Sequence, residues 1–236
     1  MSTQRALLTL LVPAGLALAA VTFVPPSPVD ALSAVTAPTA QPALLLARSP
    51  LTAEIRLAVA PTGNQVRYRV REQLVGRDLP NDAVGETNQV TGAIVIGEGG
   101  NPVSSRSRIV VNVTQLTSDQ SRRDGYVQRR LLETEQFPTV ELVPTGLRGL
   151  SWPLPTTGAR TFEMIGNLTV RGVTRPTTWR VTAQFTGDRV TGTAVTGFTF
   201  DDFELTQPRV PILLSVADSI RLEYDFNLTR ERSATP

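Results

Sequence analysis

From Glu54 onward, apolar residues recur at every second position of this chain. Ile55, Leu57 and Val59 alternate with polar or small residues, and Val66, Tyr68 and Val70 alternate with Arg67, Arg69 and Arg71. The same period carries Ile94 and Ile96; Ile109, Val111 and Val113; Val140 and Leu142; and Phe162, Met164, Leu168 and Val170. It resumes with Trp179, Val181, Ala183 and Phe185, then Val190, Gly192, Ala194 and Phe198, and closes with Ile220, Leu222, Tyr224, Phe226 and Leu228. Successive side chains of a strand point to opposite faces, so each run predicts a strand with one apolar face. Gly63-Asn64, Gly99-Gly100-Asn101-Pro102 and Gly187-Asp188 separate runs and read as hairpin signals, hence antiparallel pairing. About eight or nine strands at this spacing predict a sandwich or a closed barrel.

One segment breaks the period. Thr117 to Gln136, "TSDQSRRDGYVQRRLLETEQ", is rich in charges and good helix formers. Ser118 or Asp119 is placed to cap its start, with Val127, Leu131 and Leu132 on the buried side. Phe137-Pro138 ends it. A lone amphipathic helix among strands packs over a barrel end or against its wall, so the expected architecture is an all-β antiparallel barrel with one helix.

The N-terminus follows a different pattern. Ala6 to Val24, "ALLTLLVPAGLALAAVTFV", is an uncharged apolar run preceded by Arg5, and no basic residue follows until Arg48. Its length lies between that of a signal-peptide core and that of a membrane span, so residues 1–24 read as either a signal peptide or a retained anchor. Val29-Asp30-Ala31 offers a small-residue cleavage site. The charge asymmetry orients the remainder outward, into the periplasm or onto the cell surface. Residues 25–47, with five prolines among Ala, Ser and Thr, read as a semi-stiff linker, and the barrel domain as residues 48–236.

Composition changes the picture mainly by exclusion. The 236 residues include 23 basic and 21 acidic ones for a net charge of +2, too small an excess to indicate a nucleic-acid partner. There is no His, no Cys and no Lys, every basic side chain being Arg. Ser-His and Cys-His nucleophile pairs, His/Cys zinc sites, Schiff-base chemistry and disulfides are therefore impossible within the chain. The remaining candidates for catalysis are carboxylates such as Asp201, Asp202 and Glu204, whose clustering a turn explains more simply. No enzymatic activity and no cofactor are expected.

Four segments, "NQVRYRVREQLVG", "RRDGYVQRRLLETEQFPTVELVP", "GNLTVRGVTRPTTWRV" and "FTFDDFEL", occur in this order, and together resemble the YceI-like family over roughly residues 53–230. The third is the most specific, matching a strand-turn-strand pattern of Leu-Thr, a basic residue, Gly-Val-Thr, a basic residue and Pro. The resemblance implies a lipocalin-like antiparallel barrel, exported in bacteria, with a polyisoprenoid or isoprenoid-quinone chain in the lumen of some members. Three features depart from it: no histidine in the first strand region, Asp202-Phe203-Glu204 where Asp-Phe-Gly is common, and a long first connection at residues 77–88.

A closed sheet of about eight strands is either just filled by side chains or holds one slender ligand. Gly166, Ala183, Gly192 and Ala194 sit in the inward register and favour open space, or else mark bends and close backbone approach. The pattern alone leaves both open; the resemblance favours a lumen. Its expected lining is Tyr68, Ile94, Val111, Leu142, Phe162, Met164, Leu168, Trp179, Val181, Phe185, Ala194, Phe198, Leu222, Tyr224 and Phe226. A hydrophobic lipid ligand, an isoprenoid lipid or quinone, would lie against them, and the chain would reach a membrane through its N-terminal segment if uncleaved. The alternative is a ligand-free envelope adaptor acting through protein contacts. Arg67, Arg69 and Arg71 read as a solvated outer face or, alternatively, as contacts for anionic lipid headgroups; residues 208–218 read as a plug of one barrel end or as a lid gating ligand entry; and Arg171 and Arg175 read as lying near a rim.

Overall fold

The computed structural model describes residues 54–232. The expected leader (1–24), the cleavage site at Val29-Asp30-Ala31 and the linker (25–47) lie outside the described residues. Eleven strands form one antiparallel sheet: β1 (Ile55–Val59), β2 (Gln65–Leu74), β3 (Asn81–Thr87), β4 (Val90–Ile96), β5 (Arg108–Asn112), β6 (Thr117–Ser118), β7 (Thr139–Arg148), β8 (Thr157–Val170), β9 (Val173–Thr186), β10 (Arg189–Thr199) and β11 (Leu213–Arg232). The helix α1 (Ser121–Tyr126) continues as a π-helical turn over Val127–Leu131. The sheet closes because β11 pairs with β10 on one side and with both β1 and β2 on the other.

The eleven strands amount to a barrel of eight staves. β1 and β2 both run antiparallel to β11 and are two halves of one stave; β3 pairs with β2 and β4 with β1, making a second. β5 and β6 make a third by pairing with β4 and β3. These three neighbouring staves break at one level. Gly63-Asn64 is therefore a kink, where the sequence pattern predicts a hairpin. The five residues between Val59 and Gln65 face only Phe226 and Asn227 of β11, so the backbone ladder stops after the bond from Ala60 N to Asn227 O (2.9 Å). Asn64 replaces it, its Oδ1 accepting from Asn227 N (3.0 Å) and the Tyr224 hydroxyl (2.9 Å), and its Nδ2 donating to Ala60 O (2.7 Å).

Other strands follow their pattern closely. On β8 and β9 the alternate residues Met164, Leu168 and Val170, and Trp179, Val181, Ala183 and Phe185, are buried. The two strands join through Arg171 and Gly172, both at positive φ (+46° and +76°), the arrangement of a tight hairpin turn that matches strand twist. Pairing runs through Pro176, which faces Asn167. The helix is shorter than expected because Thr117 and Ser118 extend the third stave. Neither proposed cap acts as one: Asp124 instead accepts from the Ser118 amide (2.8 Å) and hydroxyl (2.6 Å), tying the helix to the strand before it. Val127 is buried, and Leu131 and Leu132 pack on the core.

Candidate ligand chamber

Two cavities, of about 110 Å³ and 60 Å³, lie on the inward face. The larger lies under the helix. Val66, Tyr68 and Val70 of β2 line it with Val111, Val113, Val140, Val170, Phe198, Phe200, Leu205, Ile220 and Leu222, and Val127, Leu131 and Leu132 form its roof. The smaller lies toward the opposite end, among Ile94, Leu142, Phe162, Met164, Val181, Ala183, Phe185, Ala194, Tyr224 and Phe226, with Leu150 and Leu154 of the β7–β8 loop beneath it. Of the expected lining, Tyr68, Val111, Phe198 and Leu222 face the larger cavity. Ile94, Leu142, Phe162, Met164, Val181, Phe185, Ala194, Tyr224 and Phe226 face the smaller. Leu168 and Trp179 line neither: buried at the level between them, they form a partition with Thr196.

The small residues do not all leave space. A Cβ at Gly192 would overlap the Thr182 carbonyl and the Ala183 backbone and lie 2.8 Å from the Phe226 ring, so this glycine marks close backbone approach. At Gly166 the room is taken by Leu142, whose Cδ1 lies 2.9 Å from where a Cβ would be. Ala183 and Ala194 do border a cavity.

Both lumenal tyrosines stay protonated. Burial pushes the Tyr68 hydroxyl up to about 12 and raises that of Tyr224 further. The lumen is thus uncharged and nearly all carbon.

The two ends are held differently. At the helix end, Arg123 donates to the buried Glu72 (2.6 Å) and pairs with Asp119, pinning α1 to β2. Burial opposes the charge on Arg123, but Asp119 and Glu72 outweigh it and hold its pKa above the usual guanidinium value. Arg171 donates to Glu133 (3.2 Å) and to the Glu204 carbonyl, and Arg175 reaches the Glu204 carboxylate (3.3 Å). Both arginines are therefore braces on the closed rim. Glu204 sits at φ +55°, a conformation that suits glycine, which accounts for the glycine common at this position in the resembled pattern. Asp202 accepts from the Thr199 amide (2.7 Å) and hydroxyl (2.9 Å), and these bonds hold its pKa below the usual carboxylate range. The acidic cluster is a turn.

At the opposite end the closure is mainly apolar. Leu154 is buried, Leu150 and Trp152 pack on the core, and Arg230 donates to the Pro155 carbonyl. On the outer wall, Arg67 bonds Asp225 and Glu223, Arg69 bonds Glu223 (3.1 Å), and Arg71 bonds Asp82 (3.2 Å). The arginine stripe is a cross-strand ion-pair ladder. Residues 208–218 do not plug the barrel: Ile212 and Leu214 are exposed, and β11 begins as a ribbon against the end of β2. Among the described residues no helix is long and apolar enough to cross a membrane, and no cluster of acidic side chains is arranged to hold a metal.

Leu205 was less legible than the strands and the helix face, because a turn carries no period. "FTFDDFEL" held a signal: its aromatic spacing brings Phe198 and Phe203 into an edge-to-face contact with centroids 4.6 Å apart under the rim.

The family model of the YceI-like domain matches residues 57–228. A UPF0312 protein of Pseudomonas putida strain GB-1 is 25% identical over 114 residues, 45% of this chain and 56% of that protein. A UPF0312 protein of Pseudomonas fluorescens strain SBW25 is 26% identical over the same length and shares. The match spans about half the length of these relatives. Among solved structures, a polyisoprenoid binding domain from Saccharophagus degradans superposes with TM-score 0.57 at 10% identity, covering 76% of this chain and 99% of that one. BcnA of Burkholderia cenocepacia gives 0.54 at 15% identity, covering 72% and 98%. At these identities the likeness is one of fold.

Proposed function

The chain belongs to the YceI-like family, and from that premise we propose that its barrel sequesters the hydrocarbon chain of a lipid of isoprenoid type. The observation that carries the reading is the pair of carbon-lined chambers inside a closed barrel. The structural neighbour described as a polyisoprenoid binding domain supports the choice of ligand class. Burial stabilises by about 0.8 kcal/mol per methylene, so an apolar chain needs no polar recognition inside the lumen. Shielding an insoluble chain from water is then the whole activity, and no bond is broken.

The volumes bear on how a ligand would fit. A cavity of roughly 150 Å³ holds benzene, and the larger chamber, at 110 Å³, is below that. Even the two chambers joined barely exceed it, so a chain of several isoprene units needs the lining to give way around it, with Leu168 or Trp179 turned aside first. An off-rotamer side chain costs about 0.5–1.5 kcal/mol, which two buried methylenes offset. The same volumes favour a second reading, a barrel filled by its own side chains and acting through protein contacts.

One experiment decides between them. The full chain is purified from cells and extracted with organic solvent for mass spectrometry. An isoprenoid recovered in a fixed ratio to protein supports the carrier; a protein that carries no lipid and takes none up from a polyprenol suspension leaves the second reading. We further place the barrel outside the cytoplasm, on the strength of the apolar run behind Arg5. Residues 1–47 fused to a reporter active only after export should give activity; an inactive fusion refutes that placement.

A further inference from the structure

We propose that the tip formed by the β2–β3 connection and the residues leading into β11 docks on an anionic lipid surface. Four large apolar side chains stand in solvent there: Val75, Leu79, Ile212 and Leu214 are 53%, 77%, 58% and 64% exposed. They form one feature, because Val75 N donates to Ile212 O (2.9 Å) and Leu74 faces Leu213 in the ribbon. This ribbon projects past the barrel wall, since β10 stops pairing with β11 at Ser219.

Charge selects the occupant. Arg77 and Arg209 flank the apolar side chains, both exposed and in no ion pair among the described residues, and Asp78 is the one acid in residues 75–80 and 208–214. The helix held against Glu72, at the base of the ribbon, exposes Arg122, Arg129 and Arg130, likewise in no ion pair among the described residues. The outer-wall arginines of β2, by contrast, are each matched by an acid. Exposed apolar side chains beside unneutralised arginines suit insertion between anionic headgroups.

A second protein fits less well. Four side chains cover far less than the roughly 800 Å² per partner of a stable interface. Pro80, Pro208 and Pro211 flank the tip and supply no amide donors for strand addition. A lipid surface requires neither shape nor register. The inference rests on the surface alone and stands whether or not the lumen holds lipid.

The chain has no cysteine, so Leu79→Cys in the full protein carries a single environment-sensitive fluorophore at the tip, and Thr186→Cys carries one at the opposite end. With phosphatidylcholine vesicles containing phosphatidylglycerol, the label at position 79 should shift to the blue and be quenched by a lipid-borne quencher. The label at 186 should not respond, and added salt should weaken the response. Removing the pair by Arg77→Gln with Arg209→Gln should lower partitioning about tenfold or more. Equal responses at both positions, no response at 79, an equal response on pure phosphatidylcholine, or a concentration-dependent shift without vesicles would each overturn the proposal, the last by revealing a second copy as the occupant.

Discussion

The two chambers are cut from the same eight staves, yet they differ in size, lining and closure. The one under the helix has a lining richest in Val and measures about 110 Å³; the other is lined chiefly by Leu and Ile, with Phe162, Phe185, Phe226, Tyr224 and Met164 among them, and measures about 60 Å³. A short helix pinned by ion pairs closes the first, and a loop packed by Leu150, Trp152 and Leu154 closes the second. The two ends therefore differ more in the chemistry of their closure than in that of their lining. Opening the helix end breaks the Arg123–Glu72 pair and uncovers Val127, Leu131 and Leu132; opening the other uncovers Leu150, Trp152 and Leu154. Entry through the helix end predicts that loosening Arg123, and not Leu154, speeds exchange.

The largest expected effect comes from erasing the distinction. Trp179→Ala removes the partition and should cost about 3–5 kcal/mol of stability, read from urea denaturation, while the recovered lipid becomes longer or more abundant. Unchanged lipid content alongside that loss would mean the chambers do not act as one site. Next, Arg123→Ala leaves Glu72 buried without its cation and should destabilise by about 3 kcal/mol, the low end for a buried pair because the arginine keeps some solvent contact. It should also speed exchange of a fluorescent polyprenol, whereas Leu154→Ala at the other end should cost a similar amount and leave exchange unchanged.

A third test fills one chamber at a time. Val113→Phe in the larger and Ala194→Leu in the smaller should each cost about 1–3 kcal/mol through overpacking; a ligand chain that needs both chambers should be blocked by either. Gly192→Leu is unsuitable, since its side chain would meet backbone. Acid provides a milder probe. Burial alone would raise the pKa of Glu223, but hydrogen bonds from Arg221 and Arg69 hold it below the ordinary value. A depressed carboxylate stabilises fully above its unfolded pKa and loses that contribution as pH falls through the folded one. Stability should therefore be flat from neutral pH to about 5 and fall below about 4, and Glu223→Gln should flatten that fall. The smallest effect is expected at Glu204→Gly, where relief of positive φ and loss of an exposed ion pair nearly cancel, within about 1 kcal/mol.

How much of this could be read in advance differs from residue to residue. Alternation on β8, β9 and β10 identified Met164, Trp179, Val181, Phe185 and Ala194 as inward-facing, because a strand's two faces are fixed by parity alone. It was silent on depth along the barrel, so nothing separated Trp179 and Leu168 from the residues that border open space. Leu150, Leu154 and Leu205 lie in a loop and a turn, where no period exists to reveal them.

The amino-acid sequence by itself determined the strand faces, the helix and its buried Val127, the absence of His, Cys and Lys chemistry, and the family pattern around Arg171-Gly172. Only the tertiary structure decided that Gly63-Asn64 bends one stave instead of joining two, and that Arg171 and Arg175 brace a closed rim. It also decided that open space in the lumen lies in small chambers and not in one continuous channel past Leu168 and Trp179. The reason is physical: alternation is a property of one strand, whereas pairing partners and enclosed volume are properties of all eight staves at once, and a glycine on one is filled by the Phe226 or Leu142 of another.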